Sequence, residues 1–380
     1  MMERKKICFV VAVPGTANAF LRDHIKALQV KYDVYLVGNI SNQEQIQALQ
    51  LTGWHKIEIH RSISLLNDIK SLWKLYMYFR KMKFDAVHSV TPKAGLLCAI
   101  SSWMARIKHR THIFTGQVWA TRTGIMRYFL KSLDRIIPLF DNHILVDGEP
   151  QRRFLIYNNV ISEKNSVVLG AGSISGVNTE RFLPSTNVRN EVRGKLGFND
   201  DNFVFCFMGR QNKDKGIYEL YEAFNRLVAE RPNVRLLLFG SDEGDCMSHL
   251  VDYPHIKEGK NFIFYGNTRT PEIHLQASDA FCMPSYREGF GTSVIEASCL
   301  GLPVICSDIY GLEDTMVQNV TGLRCKVADS ETLYQVMKMY VDNPSVALDY
   351  GKNGRERVLS YFAGEVITKC WVKWYEQILI

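Results

Sequence analysis

The chain has 380 residues, enough for two domains of ordinary size and a large apolar core without disulfide or metal staples. A composition of 46% hydrophobic and 22% charged residues excludes a disordered, collagen-like or disulfide-scaffold chain. Lys and Arg number 46 against 39 Asp and Glu, and the net charge of +7 suits nucleotides, phosphates or anionic lipid while being too small for a nucleic-acid binder.

The chain opens with Glu3-Arg4-Lys5-Lys6, the apolar run ICFVVAV and Ala17-Asn18-Ala19, a loose imitation of an export signal. The run is short and partly β-branched, and we read residues 7–13 as the first strand. Nine cysteines, none paired as CxxC, sit singly and mostly in apolar segments and read as reduced thiols of a reducing, cytoplasmic compartment. No apolar run approaches the ~18–20 residues that cross a bilayer.

Strands are expected at 7–13, 33–37, 56–59, 86–90, 112–115, 143–146 and 167–169, alternating with helical stretches such as 19–29, 70–83 and 124–138. A stretch rich in Gly, Ser, Asn and Pro, 170–202, reads as the connection to a second set at 203–208, 235–239, 262–265, 280–283, 303–306 and 323–326. The fold class is therefore α/β, with two Rossmann-like domains at 1–180 and 181–362 facing across a cleft, since such sheets bind ligands beyond their strands' carboxyl ends. Residues 363–380 form a last helix whose stripe Ile367, Trp371, Trp374 and Tyr375 must be buried.

The segment Ser285-Tyr286-Arg287-Glu288-Gly289-Phe290-Gly291-Thr292-Ser293 joins an apolar strand to a helix that carries Glu296. Gly289 and Gly291 let backbone approach a ligand, and the amides of Gly291, Thr292 and Ser293 open a helix, where an anion is stabilised. A carboxylate at Glu296 can accept two hydrogen bonds from vicinal sugar hydroxyls, and Glu288 can reach a second sugar. Gly209-Arg210-Gln211-Asn212-Lys213-Asp214-Lys215-Gly216 follows another strand, and Arg210 and Lys215 suit a diphosphate. Against these readings stand two plain ones: surface glutamates on a strand–helix connection, and a solvated basic loop.

Together the two clusters resemble the retaining glycosyltransferases of family 4, which have the GT-B architecture. The segments from Val87 to Leu96, from Phe114 to Trp119 and from Gly172 to Asn178 are similar to those of its bacterial capsule and O-antigen members, and the likeness covers nearly the whole chain. The resemblance implies that Glu296 holds the nucleotide ribose. Glu288 and the backbone around Phe290 and Gly291 contact the donor sugar, with Gly289 and Thr292 beside them. Arg210 and Lys215 bind the diphosphate and stabilise the leaving group, and Tyr265 within Phe264-Tyr265-Gly266-Asn267 meets the base. Glu288, Arg210 and Lys215 are thus the expected catalytic residues. Gly15, Lys93, Thr115, Arg122 and Arg127 are expected on the acceptor side, and the last helix crosses back onto the first domain.

One departure stands out. Many family members carry His-Gly where this chain has Thr115-Gly116. No DxD motif or metal-ligand spacing occurs, and neither metal nor cofactor is expected. The implied reaction moves an N-acetylated sugar, with N-acetylfucosamine as first choice, from a UDP-sugar to an undecaprenyl-pyrophosphate-type lipid-linked saccharide. The stretch 70–83 mixes cations with aromatics and is expected to touch an anionic membrane surface, with a buried helix as the competing reading. A UDP-sugar 2-epimerase-like enzyme and a non-catalytic subunit are the alternative functions.

Overall fold

The computed structural model describes residues 4–60 and 64–380, so Glu3 of the charged N-terminal run lies outside the described residues. The chain divides into two compact units, one of Met1–Gly176 with Gly364–Ile380 and one of Val177–Ala363.

The first unit is built on strands β1 (Lys6–Val10), β2 (Asp33–Gly38), β3 (Gly53–Lys56), β4 (Ala86–Val90), β5 (His109–Phe114), β6 (His143–Val146) and β7 (Ser166–Val168). They form one parallel sheet in the order β3-β2-β1-β4-β5-β6-β7. The central strands β1 and β4 are buried along their length, Lys6 apart, because both faces carry helices. At the edge the structure corrects the expected strand 56–59. Tyr35 pairs with Gly53, so the ladder lies three residues earlier, and Ile57 and Ile59 are buried beyond it. The expected 7–13 strand stops at Val10, because Pro14 opens the helix Pro14–Phe20. The expected helix 19–29 is two short ones, Pro14–Phe20 and Arg22–Leu28, broken at Leu21.

The last helix, Gly364–Ile378, belongs to the first unit. Its Trp371 and Tyr375 are fully buried. The Trp371 indole lies between two imidazoles, His24 at 4.4 Å and His88 at 4.9 Å. His24 donates from Nε2 to the Ile174 carbonyl at 2.7 Å, so its Nδ1 accepts from the Thr368 hydroxyl at 2.9 Å. Burial drives the His24 pKa down to about 4, and the ring is neutral.

The second unit repeats the plan with β8 (Phe203–Met208), β9 (Val234–Phe239), β10 (Phe262–Gly266), β11 (Ala280–Met283), β12 (Val304–Ser307) and β13 (Gly322–Cys325). Their parallel order is β10-β9-β8-β11-β12-β13. The polar stretch 170–202 is not simply a connection, since it contains the helix Thr186–Leu196, capped by Ser185 accepting from the Val188 amide at 3.4 Å. The buried Arg193 of this helix pairs with Asp279 at 3.2 Å, which ties it to the start of β11. All nine cysteines are free. No helix among the described residues is long and apolar enough to cross a membrane.

Candidate active site

Strands β8 and β11 are parallel neighbours, so the loops that leave them, 209–216 and 284–291, emerge side by side at the carboxyl edge of the second sheet. Glycine makes that approach possible. Gly216 sits at φ +67, and a Cβ there would fall 2.1 Å from the Pro284 carbonyl oxygen. Backbone pairing continues the seam, with the Tyr286 amide donating to the Asp214 carbonyl at 2.9 Å. Arg287 adds an ion pair to Asp214 at 3.2 Å.

Across this seam Lys215 Nζ and the Glu288 carboxylate form a half-buried ion pair. Ser285 Oγ donates to the same Glu288 oxygen at 2.8 Å, and Ser307 donates to the Ser285 carbonyl, fixing the turn. Two residues expected to serve different parts of a ligand therefore hold one another. Arg210 is more exposed and pairs with Glu243 at 3.0 Å. Gln211, fully buried, joins its loop to residues 241–244, which follow β9. Its backbone amide donates to the Ser241 carbonyl at 2.8 Å, and its backbone carbonyl accepts from the Glu243 and Gly244 amides at 3.1 and 3.0 Å. The sequence reading includes Ser285 and Gln211 without giving them a role, and it misses Glu243. The GSDEG run after β9, which repeats the strand-to-glycine pattern, was the available signal for Glu243.

The helix Thr292–Cys299 starts from Gly291 without a side-chain cap. Of the three amides expected to await an anion, that of Thr292 donates to the Phe290 carbonyl at 2.9 Å. Phe290 packs on Phe362 with ring centroids 5.5 Å apart. One turn along, Glu296 is partly buried. Desolvation lifts its pKa to about 7, with Arg181 pulling it down and Glu272 adding to the rise. Tyr265, at the carboxyl end of β10, is 40% exposed and lies 4.3 Å from the His274 ring.

The chain is 31% identical over 367 residues to the capsular polysaccharide biosynthesis glycosyltransferase CapM of Staphylococcus aureus, covering 96% of this chain and 95% of that protein. The chain belongs to the group 1 glycosyltransferases. The model of that family, glycosyl transferases group 1, matches residues 188–357, a span that contains Arg210, Lys215, Glu288 and Glu296. The glycosyltransferase is also 23% identical over 387 residues to N,N'-diacetylbacillosaminyl-diphospho-undecaprenol alpha-1,3-N-acetylgalactosaminyltransferase of Campylobacter jejuni, covering 98% of this chain and 99% of that one. Among solved structures, Anabaena HepE in complex with UDP superposes with a TM-score of 0.81 at 16% identity over 98% of this chain and 100% of that one. The glycosyltransferase WaaG gives a TM-score of 0.72 at 16% identity, covering 96% and 98%. The fold of this glycosyltransferase is GT-B.

The residues expected on the acceptor side all lie in the first unit of the glycosyltransferase. Gly15 is exposed in the helix Pro14–Phe20 with open space around it. Lys93 pairs with Asp68 at 2.7 Å. The Thr115 carbonyl accepts from the side-chain amides of both Gln117 and Gln151. Arg127 lies 5.3 Å over the Trp119 ring and donates to the Ala120 carbonyl at 3.0 Å, while Arg122 is exposed. Among the described residues no group of three His, Cys, Asp or Glu side chains is arranged to hold a metal ion.

Proposed function

We propose that this glycosyltransferase moves a UDP-activated N-acetylated sugar, with retention, onto a lipid-pyrophosphate-linked saccharide during capsular or O-antigen polysaccharide assembly. It would work at the inner face of the cytoplasmic membrane. The observation that carries the reading is the grouping of Arg210, Lys215, Glu288 and Glu296 around one carboxyl edge. Relatives support the donor and acceptor classes. One is named as a UDP-Gal:alpha-D-GlcNAc-diphosphoundecaprenol galactosyltransferase of Escherichia coli, at 25% identity over 308 residues.

In this proposal the donor's diphosphate draws Lys215 away from Glu288, and Arg210 away from Glu243. Glu288 is then free to accept from donor-sugar hydroxyls, and Glu296 accepts from the ribose. The bond from the anomeric carbon to the diphosphate oxygen breaks, UDP departs with its electron pair, and the acceptor oxygen takes its place while losing a proton. Two cations at the diphosphate stabilise the charge that grows on the leaving group. The same charges make a divalent ion unnecessary, so transfer should persist in excess EDTA. Activity lost in EDTA and regained with magnesium would refute that part. A thermal-shift panel of nucleoside diphosphate sugars, led by UDP-N-acetylfucosamine, tests the donor class, because only a ligand of the native state raises the melting temperature. Stabilisation by GDP-sugars alone would overturn it.

A further inference from the structure

The first unit carries an apolar edge that its own core leaves unused. The helices Leu65–Met82, Pro92–Met104 and Gly124–Phe140 each follow a strand of the parallel sheet, so each begins at the carboxyl edge. The middle helix packs against both others, and its Lys93 pairs with Asp68 of the first at 2.7 Å. The outer two turn large apolar side chains to solvent within their first halves. Leu66, Ile69 and Trp73 are 83%, 59% and 57% exposed, and Ile125, Tyr128 and Phe129 are 88%, 72% and 45% exposed. Single exposed apolar residues are ordinary on a soluble surface, but six on two helices that flank the same neighbour are not.

Charge says what covers them. Residues 122–140 hold Arg122, Arg127, Lys131 and Arg135, and their one acid, Asp134, is buried against Trp119 Nε1 at 2.7 Å. Lys131 points at the Asn158 side-chain oxygen at 2.8 Å rather than at a carboxylate. The edge thus joins apolar and amphipathic aromatic side chains to cations without acidic partners, the combination that suits anionic headgroups above an acyl layer.

We propose that this edge, and not the basic second half of the helix Leu65–Met82, seats the protein on an anionic bilayer. Ile125, Tyr128, Phe129, Leu66 and Ile69 enter the headgroup–acyl boundary while the cations of residues 122–135 meet the lipid phosphates. Arg80 and Lys81, part of the stretch 70–83 that was expected to touch the membrane, lie at the opposite end of their helix. The proposal deepens the reading of a lipid-linked acceptor and rests on that reading only for its purpose. Docking of this kind is partly salt-resistant, because apolar insertion persists where screening removes the charge attraction.

The full chain is sedimented with phosphatidylcholine vesicles and with vesicles containing phosphatidylglycerol, at low salt and at about 1 M salt. The expected result is binding to anionic vesicles, part of which survives high salt. The triple change Ile125→Ser, Tyr128→Ser, Phe129→Ser should weaken it roughly tenfold or more, with the UDP-induced thermal shift intact. The single change Ile125→Ser, at a side chain with almost no packing, should lower binding in the same direction should the triple variant misfold. Wild-type binding by both variants would overturn the proposal. So would a vesicle-free dimer of the wild type that the triple change disperses, since the edge would then be an interface between copies. Vesicle binding without any transfer to a lipid-linked acceptor would overturn the proposed reaction and leave the docking edge standing.

Discussion

Two opposing demands meet at Glu296. Its surroundings favour the protonated acid, with a pKa near 7, whereas ribose hydroxyls are accepted best by the carboxylate. A folded-state pKa raised above the ordinary 4.5 means that the native protein holds a proton the unfolded chain releases. The stabilisation is therefore present at low pH and is lost as pH rises through about 7. Glu296→Gln should raise the melting temperature at alkaline pH while UDP affinity by calorimetry falls about ten- to a hundredfold. In the wild type, UDP affinity should climb as pH passes through about 7 and then level off. Unchanged affinity in the variant would remove Glu296 from the ribose. Lys215→Ala should depress kcat more than it raises KM, by ~10²-fold, since leaving-group charge grows in the transition state. It also leaves Glu288 half-buried beside Ser285 alone. Adding Glu288→Gln should then recover stability but not turnover. These residues were legible in the sequence as types on loops after strands. Their mutual pairing was not, because it joins positions 73 residues apart through a register that only the sheet defines.

At the scale of elements, the seam between the loops 209–216 and 284–291 depends on missing side chains. Gly216→Ala would press a methyl against the Pro284 carbonyl at a backbone angle that L residues avoid. We expect a loss of about 2 kcal/mol or more in urea unfolding, with UDP binding impaired in proportion. A neutral outcome would mean that the seam yields without cost. The same logic of context explains which elements could be read in advance. Strands inside the sheets, such as Lys6–Val10 and Phe203–Met208, show nearly continuous apolar runs because both faces are covered. The edge strand Gly53–Lys56 has one neighbour and little apolar content, so its position follows from pairing with β2 and not from its own residues. The helix Thr186–Leu196 hid in a polar stretch because what it buries is chiefly Arg193, held by Asp279, with Val192 beside it.

For the whole molecule, pH response divides between groups that oppose each other within the first unit. Burial pushes His24 and His143 to about 4 and His112 to about 3. The unfolded chain binds those protons first, so the imidazoles subtract stability as pH falls from about 6.5 toward 4. Burial also lifts Asp147 to about 8 and Asp134 to about 6, and these carboxyls add stability as pH falls through the same range. Burial also lowers His88 and raises Asp141, so four imidazoles oppose three carboxyls, and melting of the wild type should vary only mildly between about pH 5 and 7. Asp147→Asn removes one of the opposing groups and should expose a steep acid lability in thermal scans. An equally flat profile in that variant would contradict the balance.

The return of the chain to the first unit has a consequence for biosynthesis. A ribosome delivers Phe9, His24 and His88 before the second unit, but Trp371 and Tyr375, which cover them, only after it. The second unit, drawn from the single run Val177–Ala363, is complete in sequence before that cover emerges. The nascent first unit therefore waits, with imidazoles and apolar strand residues uncovered, until the helix Gly364–Ile378 emerges. Stalled chains that stop before Gly364 should recruit chaperones that hold exposed apolar surface, and released full-length chains should shed them.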